Sequence, residues 1–62
     1  MRLDQFMKWC GWVSTGGEAK IHVQGGGVRV NGTIELRRGR RLIQGDEISF
    51  GANKASFDEI DS

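Results

Sequence analysis

The sequence contains no proline, one cysteine and one histidine among 62 residues, and it has no long apolar run. A single cysteine, Cys10, excludes an internal disulfide. A membrane-spanning helix needs about 18 or more apolar residues in succession, so the sequence predicts none. The N-terminus also lacks the basic region, apolar stretch and cleavage site of a secretory signal. We therefore expect a cytoplasmic protein that has no membrane partner.

Side chains that could support catalysis or hold a metal are few. Zinc usually takes three or four protein ligands, which His22 and Cys10 cannot supply. No phosphate-binding loop, dinucleotide-binding fingerprint or nucleophile elbow is present. A domain this short buries only about 60% of the surface that its unfolded chain exposes, so an enclosed active site would be hard to build. The sequence predicts one domain that is not an enzyme and has no cofactor or metal.

Charge is abundant but unevenly distributed. Residues 1–44 contain eight lysines and arginines against three carboxylates, whereas residues 45–62 contain five carboxylates and one lysine. This split predicts a basic binding surface followed by an acidic tail. An ordinary solvated surface with unevenly placed charges is the alternative that charge alone leaves open.

Two short helices are predicted in the first half of the chain. Apolar residues spaced by three and four predict a first helix over about residues 2–10, which ends at Gly11. Thr15 and Glu18 fit a capping box that begins a second helix, and three successive glycines end it. The residues predicted to face the core are Leu3, Phe6, Met7, Cys10, Ala19, His22 and Val23.

The apolar period then changes from about 3.6 to 2, which predicts strands. The pattern Val-Arg-Val-Asn-Gly at residues 28–32 indicates a β-hairpin, because Asn and Gly both tolerate positive φ. On the return strand, Ile34 and Leu36 alternate with polar residues. Residues 42–50 predict a turn and another strand, and an edge strand is expected to end near Phe57. The order predicts an α+β fold, with two N-terminal helices packed on a small twisted antiparallel sheet.

The segment Arg-Arg-Gly-Arg-Arg at residues 37–41, here called the arginine loop, is the strongest functional feature. Its four arginines repel one another unless an anion lies nearby, and the planar guanidinium can bind two phosphate oxygens at once. Gly39 lets the backbone approach such a ligand. The loop predicts binding to RNA or another polyanion, and a solubilising loop is the alternative.

Further candidates lie outside the arginine loop. The start of the second helix, Thr15, Gly16 and Gly17, exposes N–H groups that can bind phosphate, although plain capping by Glu18 is the alternative. Base stacking and core packing both remain open for Trp9, whereas we expect Trp12 to pack between the helices. Cations are also predicted on the second helix and on the solvent face of the hairpin, at Lys20 and Arg29.

The order of these features resembles the S4 domain, an RNA-binding module first named from a small-subunit ribosomal protein. The resemblance covers about residues 2–50 and extends to the small stand-alone bacterial members (YaaA/YbcJ-like). Its motifs here are Arg2-Leu3-Asp4, Gly11, Ser14-Thr15, Glu18-Ala19-Lys20, Val28-Arg29-Val30-Asn31-Gly32, Arg37-Arg38 and Gly45-Asp46-Glu47-Ile48.

The resemblance implies an αL-like S4 fold over residues 1–57, with residues 58–62 as an acidic, frayed tail. It also implies binding to structured RNA, such as ribosomal RNA in a ribosomal subunit, with a role in ribosome assembly. We expect the protein to be a monomer. This chain departs from the family pattern at Gly16, where many members have arginine, and at His22, where most are apolar. The implied RNA contacts are Lys20, Arg29, Asn31, Arg37, Arg38, Arg40 and Arg41. We add Arg2 to these expected contacts.

Two other functions remain as alternatives. The first is a protein-interaction or sulfur-carrier module on a small β-grasp-like sheet. Such carriers need a C-terminal Gly-Gly, whereas this sequence ends in Asp61-Ser62. The second is an enzyme, which the lack of a convergent acid, base or metal set disfavours. RNA binding requires that the cations between Lys20 and Arg41 converge on one surface when the chain folds.

Overall fold

The computed structural model describes residues 1–58 and contains two helices followed by four strands. Residues 59–62 of the predicted acidic tail lie outside the described residues. This order confirms the predicted α+β fold, and no helix in residues 1–58 is both long and apolar enough to cross a bilayer. The elements are α1 Leu3–Trp9, α2 Gly16–Gln24, β1 Val28–Val30, β2 Thr33–Ile34, β3 Glu47–Phe50 and β4 Asn53–Ser56.

The four strands form one antiparallel sheet in the order β2-β1-β3-β4. Val30 pairs with Ile48, and Ile48 pairs with Ala55, so these side chains share the inner face. Residues that alternate with them, such as Arg29, lie on the outer face. The inner face and the two helices enclose a single core. Its buried apolar members are Leu3, Phe6, Met7, Val13, Ala19, Val23, Val28, Val30, Leu42, Ile48 and Phe57.

Both helices begin and end close to the predicted positions. Gly11 adopts a φ of +78° just after α1, a conformation that L side chains rarely adopt. At the start of α2, Thr15 Oγ1 accepts a hydrogen bond from the Glu18 N–H at 3.1 Å. The Glu18 carboxylate accepts the Ser14 N–H at 3.2 Å, one residue earlier than in a strict capping box. The predicted core face is correct except that Cys10 and His22 are only half-buried.

The hairpin turn forms as predicted, but the return strand is shorter than predicted and Ile34 and Leu36 do not face the core. Asn31 and Gly32 have φ values of +56° and +83°, the signature of a type I′ turn. A two-residue turn places Val30 opposite Thr33, so Ile34 lies opposite Arg29 on the outer face. β2 ends at Ile34, and the Glu35 N–H still donates to the Val28 carbonyl at 3.0 Å. Ile34 and Leu36 are 49% and 56% exposed, and Glu35 between them is only 8% exposed.

Candidate nucleic-acid interface

The backbone of the arginine loop is fixed to the start of α1. The first N–H groups of a helix have no acceptor within the helix. Here the Leu3 N–H donates to the Arg40 carbonyl at 2.9 Å, and the Asp4 N–H donates to the Arg38 carbonyl at 3.0 Å. The two chain segments also form an antiparallel bridge between Arg2 and Arg41. Folding therefore brings Arg2 beside a loop that lies far away in the sequence.

Two arginines of the loop turn toward a buried carboxylate. Arg40 Nη1 lies 3.1 Å from Glu35 Oε1, and Arg37 Nε lies 3.4 Å from Glu35 Oε2. Glu35 Oε2 also accepts the backbone N–H groups of Leu36 and Arg37, at 3.1 and 3.2 Å. These four donors explain why a glutamate occupies the inner side of the hairpin while its apolar neighbours are exposed.

A second buried carboxylate joins the loop to the hairpin turn. Asp46 Oδ1 accepts a hydrogen bond from Asn31 Nδ2 at 2.9 Å, and Asp46 Oδ2 accepts the Ile43 N–H at 2.9 Å. Arg40 Nη2 lies 3.9 Å from Asp46 Oδ2. Asn31 Oδ1 in turn accepts the Glu47 N–H at 3.0 Å. Both ends of the Asn31 amide thus have partners within the protein, and its contact with RNA stays a prediction.

The surroundings of both carboxylates favour their charged forms. Burial raises the pKa of Glu35, but hydrogen bonds from Arg37 and Arg40 outweigh burial and hold the pKa below its ordinary value. The hydrogen bond from the Ile43 N–H, followed by that from Asn31, lowers the pKa of Asp46. Both groups therefore remain ionised at neutral pH and keep their cationic partners in place.

The remaining arginines of the loop point to solvent. Arg38 and Arg41 are exposed, and neither pairs with a carboxylate within residues 1–58. Arg2 pairs with Asp4 at 3.4 Å, although more than half of the Arg2 side chain is exposed. We call Arg2 and the four loop arginines the arginine cluster. Its five cations outnumber the nearby carboxylates, Asp4, Glu35 and Asp46, by two.

An open concavity marks the surface of the cluster. It is lined by Arg37, Gly39, Arg40 and Arg41. A Cβ atom built on Gly39 would meet no other atom within 4 Å, so the space in front of the loop is free among the described residues. Guanidinium groups around an open depression are suited to a chain of phosphates and not to a small enclosed ligand.

Two predicted cations do not join the cluster. Arg29 is exposed on the outer face of the sheet, where its neighbours across the strands are Ile34 and Ser49. Lys20 is exposed on α2, which packs on the other side of the sheet. The expectation that every cation between Lys20 and Arg41 converges is therefore wrong, and the smaller set that does converge is the arginine loop joined by Arg2. Alternation along β1 sends Arg29 away from the helices, because Val28 and Val30 occupy the core.

Two further candidates are the start of α2 and Trp12. The side chains of Thr15 and Glu18 cap the start of α2, and the contribution of Gly16 and Gly17 to phosphate binding stays a prediction. Trp12 is half-buried and packs against the core, with its ring centroid 5.9 Å from that of Phe6 in α1 and 6.1 Å from that of Phe50 in β3. This confirms core packing, whereas a position between the two helices stays a prediction.

The carboxylates of this surface form no candidate metal site, and the Cys10 thiol lies at the C-terminal end of α1, away from the docked loop. No group of three or more metal-ligating side chains occurs in the described part of the chain. Burial raises the pKa of the half-buried Cys10 thiol, so that side chain is less reactive than an exposed thiol.

The sequence interpretation did not identify Glu35 and Asp46 as organisers of the loop. A usable signal was present for Glu35, since it lies two and five residues before Arg37 and Arg40. The two-residue hairpin turn also determines that Glu35 and not Ile34 points inward. For Asp46 the signal was weaker, because its partner Asn31 lies 15 residues away in the sequence.

Comparison with known proteins identifies the family of this chain. Two curated relatives are each 32% identical over 53 residues, which is 86% of this chain and 76% of the relative. They are "Putative RNA-binding protein YbcJ" of Escherichia coli (strain K12) and "Uncharacterized protein YbcJ" of Shigella flexneri. No solved structure matches the chain significantly. The family model of the S4 domain matches residues 1–57, and the chain therefore belongs to the S4 domain family.

Proposed function

We propose that this protein binds structured RNA through the arginine cluster, and that its target is ribosomal RNA during assembly of a ribosomal subunit in the cytoplasm. One observation carries the proposal. The backbone of the arginine loop is fixed to α1, and Arg38 and Arg41 are held at the surface without carboxylate partners in residues 1–58. Membership of the S4 domain family and the name of the E. coli relative favour RNA over other polyanions.

The arrangement suits recognition of the RNA backbone. Double-helical RNA has a deep, narrow major groove, so proteins mostly contact its phosphates and 2′-hydroxyls and recognise its shape. Arginine forks supply paired donors for phosphate oxygens. Because Glu35 and Asp46 hold the loop in one conformation, little conformational entropy is lost when the RNA binds. Binding by this surface involves no bond making or breaking.

The two cations outside the cluster favour a folded RNA over an isolated duplex. Arg29 and Lys20 lie on different layers of the protein. A straight helix lying on the cluster contacts one side of so small a domain. A compact RNA with several helices presents phosphates in more than one direction, as ribosomal RNA does. Contacts on both layers would therefore add affinity for that class of target.

The proposal is tested by titrating the protein into a ribosomal RNA fragment at several salt concentrations. Neutralising about four to six phosphates gives a log–log slope of roughly −3 to −5. Changing both Arg38→Ala and Arg41→Ala should lower affinity about tenfold or more and reduce the slope by about 2. Lys54→Ala is the matched control, because Lys54 pairs with Glu47 at 3.3 Å on the edge strand β4.

Two results would count against the proposal. Wild-type affinity and slope in the double arginine variant would remove the role of the cluster. Equal affinity for the ribosomal fragment and for unrelated duplexes of the same length would leave general RNA binding intact but remove the ribosomal target. Circular dichroism of each variant verifies that the fold is retained.

A further inference from the structure

The outer face of the sheet has a shallow concavity of its own, separate from that of the arginine cluster. It lies where β1 begins and β3 ends, and its volume is about 480 Å³. Five of the described residues line it, Gly26, Gly27, Arg29, Ser49 and Gly51. Three of them are glycines, so much of the wall is peptide backbone that a ligand can approach closely. None of the five has an apolar side chain.

Arg29 and Ser49 lie side by side on the two central strands. They occupy a paired position of β1 and β3, so both side chains project from the outer face. Arg29 is exposed and forms no ion pair with a carboxylate in residues 1–58. The Ser49 hydroxyl can both donate and accept a hydrogen bond. The concavity therefore presents a guanidinium beside a hydroxyl.

The helix that ends beside the concavity does not require Arg29. Cationic side chains near a helix C-terminus often bind its last carbonyl groups. At the end of α2, the carbonyls of Ile21, His22 and Val23 already accept N–H groups from the three glycines at residues 25–27, at 3.0, 2.9 and 3.1 Å. The guanidinium of Arg29 is therefore available to an anion from outside the protein.

The concavity and the network that holds the arginine loop lie at opposite ends of the central strands. Gly27 precedes β1 and Asn31 follows it, whereas Asp46 precedes β3 and Gly51 follows it. Asn31 and Asp46 are hydrogen-bonded members of that network. At about 3.3 Å per residue, the two ends are roughly 13–17 Å apart. The loop also docks on α1, on the inner side of the sheet, so the two surfaces face separate segments of a bound RNA.

A ribose–phosphate strand fits this lining better than a peptide does. Protein partners usually anchor apolar or aromatic side chains at the centre of an interface, and this lining has no apolar side chain to receive them. The RNA backbone has phosphate oxygens that suit the guanidinium and 2′-hydroxyls that can pair with the Ser49 hydroxyl. Contacts of this kind position an RNA without reading its bases. The concavity is therefore suited to the side of an RNA helix.

We propose that the concavity binds the backbone of a second RNA segment, so that one protein molecule joins two helices of a folded RNA. The proposal rests on the RNA binding proposed above and gives the outer face a separate role in it. The arginine cluster binds one helix, and Arg29 with Ser49 binds its neighbour. The second contact is weak by itself, since it neutralises only about one or two phosphates. It becomes effective because the first helix keeps the second at a high local concentration.

The test compares a single RNA hairpin with an RNA in which two copies of that hairpin are joined by a short flexible linker. Each RNA is titrated into dilute labelled protein. Two copies that bind independently raise the apparent affinity by only about twofold. A second contact with a dissociation constant of about 0.1 mM, at an effective concentration of about 1 mM, raises it about tenfold or more. We expect the wild-type protein to show this larger gain.

Variants of the outer face assign the gain to the concavity. Arg29→Ala should reduce the gain to about twofold while the single hairpin still binds, and Arg29→Lys should retain part of it. Lys54→Ala is the matched control and should keep the full gain, because Lys54 lies beside Ser49 on the same face but pairs with Glu47 at 3.3 Å. With a fluorescent donor on one hairpin and an acceptor on the other, energy transfer should rise when the wild type binds but not when Arg29→Ala binds.

The outcomes separate this proposal from the RNA binding on which it rests. Failure of the wild type to bind the single hairpin would overturn the proposed RNA binding itself. Binding of the single hairpin with a gain of only about twofold for the linked pair would overturn the second site alone. A larger gain that survives Arg29→Ala would also overturn it, because another surface or a second copy of the chain would then join the helices.

Discussion

The arginine loop contains two pairs of arginines that differ in surroundings although they are identical in type. Arg40 turns inward to Glu35, and its side chain is only 30% exposed. Arg37 also contacts Glu35, through Nε at 3.4 Å, but its side chain stays 79% exposed. Arg38 and Arg41 project to solvent, with no carboxylate partner in residues 1–58. Arg40 stabilises the conformation of the loop, Arg38 and Arg41 remain available to a ligand, and the largely exposed Arg37 contributes to both. A loop of like charges can therefore be held in place by carboxylates that flank it in the sequence, here Glu35 and Asp46.

The difference also explains how a loop rich in arginine remains ordered. Charges of one sign repel, and an isolated cluster would favour an extended chain. The two buried carboxylates and the N–H groups at the start of α1 offset this repulsion. Each buried polar side-chain atom of the described residues has a hydrogen-bond partner, so the network carries no desolvation penalty from an unpaired group.

The largest expected effect comes from removing the centre of this network. Asp46→Ala leaves Asn31 Nδ2, the Ile43 N–H and one side of Arg40 without their acceptor. Loss of one partner from a buried charged network costs about 3 kcal/mol, which is a large share of the stability of so small a domain. Urea unfolding followed by circular dichroism measures the loss. A change below about 1 kcal/mol would show that the network contributes little.

Two smaller effects distinguish Arg40 from Arg38: one variant should lose stability, and the other should lose affinity for RNA. Arg40→Ala should lower the free energy of unfolding by about 1–2 kcal/mol, because it removes a partly buried partner of Glu35. Arg38→Ala should leave stability within about 0.5 kcal/mol and instead weaken RNA binding. Unfolding and RNA titration of both variants check the contrast. Equal losses of stability in the two variants would contradict it.

The smallest effect is the dependence of stability on pH. Folding lowers the pKa of Glu35 and of Asp46 from their ordinary values of 4.5 and 3.8. As the pH falls, the unfolded chain therefore takes up protons before the folded protein does. The stability that the two carboxylates contribute is lost as the pH falls from their ordinary pKa values through the lower pKa values of the folded protein. Above about pH 5.5 it should be constant. Melting temperatures measured from pH 6 downward should fall less steeply in Glu35→Gln, and an identical slope would contradict this assignment.

Most of the fold follows from local signals in the sequence. The apolar stripe of α1, the cap at Thr15 and the Asn31-Gly32 turn are short-range patterns, and each forms as predicted. The error on the return strand has a local cause as well. Reading Ile34 and Leu36 as an apolar alternation gave too much weight to hydrophobicity, whereas the register of a two-residue turn determines which side chains point inward.

The candidate site was harder to predict because its contacts are not local. The arginine loop was evident from composition, but the inward turn of Arg40 depends on Glu35 and Asp46, which come from two different segments. The docking of the loop on α1 joins backbone atoms more than 30 residues apart, and no side-chain pattern encodes it. Strand alternation alone predicts that Arg29 lies apart from the cluster, although the sequence analysis expected all these cations on one surface.

The docking of the loop on α1 has a consequence for the order in which the protein folds. A helix of seven residues has little stability in isolation, since nucleation is unfavourable and few hydrogen bonds follow it. Two N–H groups of its first turn have acceptors only after Arg38 and Arg40 have been synthesised and positioned. We therefore expect α1 and the RNA-binding surface to form together, late and in one cooperative step, so that a partly synthesised chain cannot present this surface.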